Sequence, residues 1–370
     1  MAEPGGAPVL VAAGGTGGHL FPAEALAAAL VKRGRAVHLA TDRRAARYGG
    51  AFAGDAIHVI ASDTLRARHP FALAKTSLWL GVGLFQAWAL IGRLKPAAVI
   101  GFGGYPTIPP VLAAAWRGIP SLIHEANAVF GRANRLLARR VDAIATAFAA
   151  VAHGDAGLSA KATLTGNPVR PAVVAAAATP YPVAVDPLRL LIFGGSQGAR
   201  IMAEIVPAAI ALIEPGLRAR LAIVQQSREE DMARVRSAYA GLPIAAEIAP
   251  FFPDLPARMA GSHLIVSRSG ASTIAELAAI GRPAILVPLP HALDQDQYAN
   301  AGELASAGGA IRLAQTEFTP RRLAAEIAAL AAAPARLAAM AAAAKLLGRL
   351  DAAERLADLV LRVAGTHSTQ

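Results

Sequence analysis

The chain has 370 residues, 55% of them hydrophobic and 5% aromatic, with a formal net charge of +11 at pH 7. It contains no cysteine, which excludes disulfides, thiolate zinc sites and cysteine nucleophiles. The positive charge favours an anionic partner, but its scattered basic residues show neither zinc-finger spacing nor an aromatic RNA-binding motif, so we expect no nucleic-acid partner.

The first half of the chain alternates strand-like and helix-like segments. An apolar run at 9–13 leads into a glycine-rich loop at 14–18, and a helix is predicted at about 22–33, with proline near its start and glycine after its end. Further strands are predicted at 36–41, 57–61, 97–101, 120–124 and 142–146. Strands that alternate with helices favour parallel pairing, so we predict a doubly wound α/β sheet.

The pattern lapses at 173–187, a segment rich in alanine and proline that we interpret as a linker. It restarts with a strand at 189–193 and a second glycine-rich loop at 194–198, which matches the first loop in its position after a strand. Two Rossmann-like halves follow from this similarity. We predict an N-terminal domain at 1–168 and a C-terminal domain at 169–348, with a last helix at 349–370 that packs back on the first domain.

Three glycine-rich loops, with the third at 101–105, favour an anion-facing cleft. None has the dinucleotide spacing G-x-G-x-x-G, although Asp42 beside two arginines leaves an NADP site open. The loop at 194–198 also fits the hydrolase pattern G-x-S-x-G. Ser196, with His263 and His291 as partners, is therefore an alternative nucleophile.

The stretch 267–300 has the residues of a nucleotide-sugar site. A glycine-preceded helix start suits a phosphate, and the carboxylate of Glu276 suits the vicinal hydroxyls of a ribose. Asp296 and Gln297 follow the next strand and suit sugar hydroxyls. Asp294 and Asp296 also form a D-x-D metal pattern, but helix N-termini and arginines can face a diphosphate without a metal, so we expect no metal and no other cofactor.

Two side chains are candidates for a general base. His19 stands at the head of the first helix, where the helix dipole favours the neutral imidazole, although a capping role explains that loop equally well. Glu125 follows the strand at 120–124 and is the second candidate. Ligands bind at the carboxyl ends of strands in open α/β sheets, which favours a functional role for Glu125.

The apolar run at 76–92 is at the lower limit of length for a membrane-spanning helix and contains two interior glycines. Aromatic and basic residues around it are typical of a helix that lies in a membrane interface, with burial in the core as the alternative. The candidate membrane contacts are Phe71, Lys75, Trp79, Phe85 and Trp88. Because the N-terminus lacks a basic signal-peptide region, we expect a cytoplasmic protein, bound peripherally to the inner face of an anionic cell membrane.

Seven segments in order resemble the peptidoglycan-synthesising branch of glycosyltransferase family 28: AGGTGGHLFPAEALA, GFGGYPTIPP, HEANAVFGRANR, GNPVR, GGSQGAR, RSGASTIAE and DQYANA. The resemblance implies a GT-B fold, with two Rossmann-like doubly wound domains facing across a cleft. It further implies inverting transfer of N-acetylglucosamine (GlcNAc) from UDP-GlcNAc to the 4-hydroxyl of lipid I, undecaprenyl-pyrophosphoryl-MurNAc-pentapeptide, forming lipid II. A diacylglycerol glycosyltransferase of the same family and a nucleotide-sugar epimerase are the alternatives.

The resemblance also implies residue roles, with the donor bound mainly by the second domain and the acceptor by the first. The backbone of Phe252 would contact the uracil, Glu276 the ribose, and Asp296 and Gln297 the sugar. Many members of the family have glutamine at both of the last two positions, so Gln297 matches the family motif more closely than Asp296 does. His19 would be the base, with Glu125 as runner-up. The other implied substrate contacts are Thr16, Gly17, Gly18, Tyr105, Asn127, Arg170, Ser196, Ala271, Ser272, Thr273, Ile274 and Ala275.

Overall fold

The computed structural model describes residues 6–14, 17–43, 52–62, 70–152, 154–184, 186–195, 198–290 and 295–366, without the side chains of 70–75. The chain divides into two compact units, Met1–Arg170 with Leu350–Gln370, and Pro171–Arg349. Each unit is built on one parallel sheet with helices packed against it. The predicted α/β class with two Rossmann-like domains is therefore confirmed.

The described part of the first unit forms seven parallel strands. These are β1 Val9–Ala12, β2 Val37–Thr41, β3 Ala56–Val59, β4 Ala98–Gly101, β5 Ser121–Glu125, β6 Ala143–Thr146 and β7 Ala162–Leu164. The sheet order is β3-β2-β1-β4-β5-β6-β7, so the chain leaves β1 in one direction and returns through β4 in the other. The loops after β1 and β4 consequently meet at the switch point, where ligands bind in this class of fold.

Helices cover the first sheet on both faces. They are α1 Gly17–Lys32, α2 Pro70–Leu94, α3 Ile108–Trp116, α4 Arg132–Leu137 and α5 Ala156–Ser159, with 3₁₀ turns at Tyr105–Thr107 and Ala149–Ala152. The predicted start of the first helix at Pro22 was wrong, because α1 begins five residues earlier and includes glycines of the loop. Leu20, Leu26 and Leu30 are buried along this helix, so its packing on the sheet outweighs the unfavourable glycine and proline positions.

The described part of the second unit forms six parallel strands. These are β8 Leu188–Phe193, β9 Leu221–Gln226, β10 Ala245–Ala249, β11 Leu264–Ser267, β12 Ala284–Leu286 and β13 Ala310–Arg312. Their order is β10-β9-β8-β11-β12-β13. The switch point thus lies between β8 and β11, and the loops that follow these two strands take the same place as those after β1 and β4.

The helices of the second unit begin with the segment that was interpreted as a linker. They are α6 Pro171–Ala176, α7 Arg200–Leu212, α8 Pro215–Arg218, α9 Glu229–Ala240, α10 Leu255–Gly261, α11 Ala271–Ile280, α12 Asp296–Ser306, α13 Pro320–Ala331 and α14 Pro334–Leu346. The segment after α6 is held on this unit, because Arg282 donates to the carbonyls of Thr179 and Pro180 and Lys345 donates to that of Ala177. The described part of the segment that was interpreted as a linker is therefore anchored on the second unit.

The last helix, α15 Ala352–Thr366, packs on the first unit. Leu356 and Val360 are fully buried in the same apolar cluster as residues of β1 and α1. At the end of α1, the guanidinium of Arg33 lies 2.6 Å from a carboxylate oxygen of Glu354 and 2.6 Å from one of Asp358. The chain thus returns to its first unit through both apolar packing and ion pairs.

Candidate active site

Each switch point carries a group of polar residues, and we name the two groups separately. The first-unit edge comprises His19, the Gly103–Gly104 pair, His124 and Glu125. The second-unit edge comprises the start of α11, Phe252, Ser269 and Gln297. Both groups lie in or beside loops at the carboxyl ends of parallel strands, the usual ligand side of such a sheet.

The imidazole of His19 is oriented by the loop that precedes it. Its Nδ1 lies 3.2 Å from the carbonyl oxygen of Gly14. A carbonyl can only accept, so Nδ1 carries the proton of a neutral ring and Nε2 carries the lone pair. Gly103 and Gly104 adopt φ values of +87° and +76° beside the ring, and a Cβ at Gly103 would stand 3.4 Å from Nε2. Glycine at this position therefore permits both the turn and the close approach of the base.

His124 lies behind His19 and is fully buried. Its Nε2 donates to the carbonyl of Gly166 at 3.1 Å, and its ring lies 5.2 Å from that of Phe102. Burial lowers the pKa of His124 to about 4, and the nearby His19 acts in the same direction. His124 is therefore neutral at physiological pH and stays in the interior.

Glu125, the second candidate base, is 2% exposed. One carboxylate oxygen accepts from the backbone N–H and side-chain amide of Asn127, and the other from the N–H of Gly131 and the amide of Asn134. Burial raises the pKa of Glu125, while these four hydrogen bonds lower it. With both oxygens engaged, the carboxylate organises the loop from 125 to 134, a geometry that favours a structural role over that of a base.

The other first-unit residues singled out by sequence are placed differently from one another. Asn127 is held by Glu125, and Tyr105 is half-buried in the turn after β4. Gly17 and Gly18 open α1, while Thr16 lies outside the described residues. The guanidinium of Arg170 lies 4.4 Å from the centre of the Phe21 ring. Arg170 is thus fixed on the first unit beside the start of α1.

At the second-unit edge, α11 begins at Ala271 without a side-chain cap. The backbone N–H groups of its first turn, Ala271 to Thr273, point toward the carboxyl edge of the sheet, as a phosphate site requires. Ile274 differs, since its side chain is buried and its N–H donates to the carbonyl of Gly270. Its neighbour Ala275 is half-buried, and Glu276 is 6% exposed on the same helix.

The predicted sugar contacts lie at the start of α12. The side-chain oxygen of Gln297 accepts from the N–H of Leu289 at 3.0 Å, and its backbone carbonyl accepts from the hydroxyl of Ser269 at 2.8 Å. Asp296 accepts the N–H of Gln297 at 2.8 Å. The amide nitrogen of Gln297 is consequently its group suited to a sugar hydroxyl. Asp294 lies outside the described residues.

Phe252, the predicted uracil contact, follows β10 and is 6% exposed. The guanidinium of Arg258 lies 4.4 Å from the centre of its ring, and Arg258 is itself fixed by Glu247 at 2.6 Å and Asp254 at 2.8 Å. The backbone around Phe252 is therefore anchored by a cation–π contact and two ion pairs.

His263, one of the two histidines of the hydrolase alternative, lies at the amino-terminal edge of the second sheet. Its Nδ1 accepts the N–H of Arg189 at 2.9 Å and its Nε2 donates to the carbonyl of Ala184 at 2.7 Å, so both ring nitrogens are engaged. His263 precedes β11 and contacts the start of β8, at the opposite end of that strand from Gly194. Ser196 and His291 themselves lie outside the described residues.

Helix α2 carries an exposed apolar surface, which we define as Leu78, Trp79, Val82, Phe85 and Trp88. Its opposite face packs on α3 and the sheet through Ala87, Leu90 and Ile91. Thr76–Leu94 is long and apolar enough to cross a membrane, with a mean hydropathy of 1.2, but only 22% of it is buried. Burial in the core, the alternative interpretation of this helix, therefore holds for the face that packs on α3 and is wrong for the exposed face. The side chains of Phe71 and Lys75 are not described.

Two residues at these edges were missed by sequence reasoning. Asn134, which is 2% exposed, donates to Glu125 and to the carbonyl of His124. Arg268, at the end of β11, donates to the carbonyls of Val287 and Pro288. Both stand within the quoted motifs, and an arginine directly after an apolar strand was the signal that a buried cation lies there.

Comparison with known proteins places these features in a family. The glycosyltransferase family 28 N-terminal domain matches residues 9–146 and the family 28 C-terminal domain matches residues 189–356. A Rhodopseudomonas palustris (strain BisB18) protein is 64% identical over 97% of this chain and 96% of its own length. A Bradyrhizobium diazoefficiens protein is 64% identical over 96% and 98%. Both are named UDP-N-acetylglucosamine–N-acetylmuramyl-(pentapeptide) pyrophosphoryl-undecaprenol N-acetylglucosamine transferase.

Among solved structures, MurG of Acinetobacter baumannii superposes with a TM-score of 0.78 at 30% identity, covering 96% of this chain and 99% of that one. Both domain models, the near-complete relatives and this structure agree, and they confirm the predicted GT-B class. The chain belongs to glycosyltransferase family 28.

Proposed function

We propose that this enzyme transfers GlcNAc from UDP-GlcNAc to the 4-hydroxyl of the MurNAc-pentapeptide of lipid I, with inversion, and so forms lipid II for peptidoglycan. The observation that carries the proposal is 64% identity over 97% of the chain to a relative named as that transferase. The geometry of both edges supports it, because one offers a base and the other a helix N-terminus beside hydroxyl-binding side chains.

In the proposed reaction, Nε2 of His19 removes the proton of the acceptor 4-hydroxyl as that oxygen attacks C1 of the GlcNAc. The bond between C1 and the β-phosphate oxygen breaks, and UDP leaves with the electron pair. The Nδ1–H bond to Gly14 keeps the lone pair on Nε2, where the proton is received. The N–H groups at the start of α11 stabilise the charge that develops on the diphosphate.

The two domains divide the substrates in this proposal. The C-terminal domain, 169–348, holds UDP-GlcNAc through the backbone at Phe252, the carboxylate of Glu276 and the amide of Gln297. The N-terminal domain, 1–168 with the last helix, holds lipid I and faces the membrane. The remaining contacts proposed from the sequence are Thr16, Gly17, Gly18, Tyr105, Asn127, Arg170, Ser196, Ala271, Ser272, Thr273, Ala275 and Asp296.

The α2 apolar surface binds the cytoplasmic face of the membrane, which makes the protein peripheral. Its acceptor carries a polyprenyl tail, and a surface of two tryptophans and a phenylalanine suits the interface where that tail is anchored. Full burial of one such large apolar side chain contributes about 1.5–3 kcal/mol. The net charge of +11 adds attraction to anionic lipids.

Turnover with three acceptor conditions tests the reaction. The purified enzyme and UDP-GlcNAc are incubated with lipid I, with a diacylglycerol or with no acceptor. We expect lipid II with lipid I alone, and unchanged activity in excess EDTA. Glycosylation of diacylglycerol would instead assign the sister activity, and conversion of UDP-GlcNAc without acceptor would favour an epimerase.

Sedimentation with vesicles tests the membrane surface. Phe85→Ser, at a side chain that is 75% exposed, should weaken binding to anionic vesicles by roughly tenfold, because its apolar ring no longer enters the interface. The matched control is Phe251→Ser in the second unit, where the ring is 66% exposed. Equal losses in both variants would contradict the assignment of this surface.

A further inference from the structure

Arg268 is a buried cation at the second-unit edge that the proposed reaction does not use. It is 9% exposed, and its guanidinium makes three hydrogen bonds. Nη1 donates to the carbonyls of Val287 at 3.0 Å and Pro288 at 2.9 Å, and Nη2 donates to the side-chain oxygen of Gln315 at 2.7 Å. One side chain thus joins the end of β11 to the segments that follow β12 and β13.

The charge of Arg268 is balanced by carbonyl and amide oxygens. Within the described ranges no carboxylate lies within 4.0 Å of it, and burial lowers the pKa of Arg268 without removing its charge. A buried guanidinium whose partners are all neutral contributes little as an ion pair. Its planar set of donors instead fixes several acceptors at defined directions.

The segment that Arg268 fixes leads directly to the predicted sugar contact. Leu289, the residue after Pro288, donates its N–H to the side-chain oxygen of Gln297 at 3.0 Å. Ser269, the residue after Arg268, donates its hydroxyl to the backbone carbonyl of Gln297 at 2.8 Å. Gln297 is therefore held from both sides by neighbours of the Arg268 clamp, which comprises Arg268, Val287, Pro288 and Gln315.

We propose that Arg268 is a positioning residue that orients Gln297 toward the donor sugar, and thereby sets how strongly the GlcNAc part of the donor contributes to binding. This inference rests on the proposed function. The proposed contacts to uracil and ribose, through Phe252 and Glu276, arise from the segment after β10 and from α11, whereas the clamp reaches the segments after β12 and β13. Disrupting the clamp should accordingly weaken the binding of UDP-GlcNAc and leave the binding of UDP unchanged.

The test compares the dissociation constants of UDP and UDP-GlcNAc by isothermal titration calorimetry. In Arg268→Lys the single ammonium cannot hold both carbonyls and Gln315, so Gln297 loses its orientation. We expect affinity for UDP-GlcNAc to fall roughly fivefold, the loss of about one hydrogen bond, while affinity for UDP is unchanged. Gln315→Ala removes one of the three contacts. It should lower the affinity for UDP-GlcNAc relative to that for UDP by a smaller factor.

Arg282 supplies the matched control. It is a second buried arginine of the same unit, 1% exposed, which donates to the carbonyls of Ala260, Ile280 and Gly281 at the ends of α10 and α11. Arg282→Lys should lower the midpoint of urea unfolding and leave the UDP to UDP-GlcNAc ratio unchanged. If Arg268 had only a structural role, Arg268→Lys would likewise lower the unfolding midpoint and leave the ratio of the two affinities unchanged.

The outcomes separate the inference from the function on which it rests. Wild-type enzyme that binds UDP-GlcNAc, with Arg268→Lys or Gln315→Ala altering only the sugar-dependent ratio, supports the positioning role. Equal weakening of both ligands in these two variants, or no change in either, overturns it while the proposed function stands. Wild-type enzyme that binds neither ligand contradicts the proposed function itself.

Discussion

The two edges share a topology and differ in chemistry. The first-unit edge gathers ionisable groups, with His19 beside a buried histidine and a buried glutamate. The second-unit edge presents backbone N–H groups, hydroxyls and amides, with its one buried arginine turned to carbonyls. In the proposed reaction the same switch point thus serves proton transfer in one unit and binding in the other. Variants at the first edge should change kcat, and those at the second should change affinity.

The sharpest test of this contrast is His19→Ala. Removing a general base costs typically 10²–10⁴-fold in rate, so we expect kcat for lipid II formation to fall by about that factor. The KM for UDP-GlcNAc should stay near its wild-type value, because most of the proposed donor contacts lie in the second unit. Steady-state kinetics with varied donor at saturating lipid I measures both constants.

His38→Ala is the control for that experiment. His38 stacks on His58, with ring centroids 5.1 Å apart, on β2 and β3 of the same sheet. The His38→Ala substitution should leave kcat unchanged. His19→Ala with near-wild-type kcat would remove His19 from the role of base and, with it, the contrast between the edges.

A second prediction concerns stability and pH at the first edge. The pKa of His124 is about 4 in the folded protein and has an ordinary value of 6.5. Between these values the unfolded chain binds the proton and the folded chain does not, so stability is full above about pH 6.5 and falls as the pH drops toward 4. The loss amounts to about 3 kcal/mol and is measured by urea unfolding at a series of pH values.

The His124→Gln variant isolates this contribution, because glutamine does not titrate. Its unfolding free energy should vary less between pH 6.5 and 4 than that of the wild type. An identical pH dependence in both proteins would show that His124 does not carry the effect. A comparable change is not expected at the second-unit edge, because the residues that define it include no histidine.

The third prediction addresses Glu125. In Glu125→Gln one carboxylate oxygen becomes an NH₂ group that faces N–H donors of Asn127 or of Gly131 and Asn134. An unsatisfied buried donor costs roughly 1–3 kcal/mol, which should appear as lower unfolding free energy. If Glu125 positions the loop, the pH profile of kcat keeps its shape. Loss of the acidic limb of that profile would restore Glu125 as the base.

Much of the fold of the first half followed from sequence because strand-like and helix-like segments alternate along it. All strands predicted in the first half appear within about two residues of their predicted bounds. The start of α1 did not, since tertiary packing of Leu20 and its neighbours overrides the helix-breaking tendency of the loop glycines. The segment at 173–187 was wrongly interpreted as a linker, also because of tertiary contacts. Its low-complexity sequence does not indicate that its backbone carbonyls accept hydrogen bonds from Arg282 and Lys345, which are distant in the sequence.

The candidate site was predictable to the level of motif and less so to the level of side-chain contact. His19 and Glu276 stand where their positions after a strand and on a helix suggested. Glu125 and Asn127 were both expected to face substrate, yet they bind each other. Hydrogen bonds within a loop leave no periodic trace, which is also why Asn134 was missed, and the partners of Arg268 are 19 to 47 residues away in the sequence.

The smallest effect is expected at the second edge, where Glu276→Gln should raise the KM for UDP-GlcNAc. The carboxylate can accept from both ribose hydroxyls, whereas glutamine offers one oxygen, so about one hydrogen bond is weakened and KM rises roughly fivefold to tenfold. The kcat should be unchanged, the reverse of His19→Ala. The control is Glu204→Gln on α7, whose carboxylate pairs with Arg200 on the surface. A fall in kcat without a change in KM would place Glu276 in the chemical step, and binding and proton transfer would then no longer divide between the two edges.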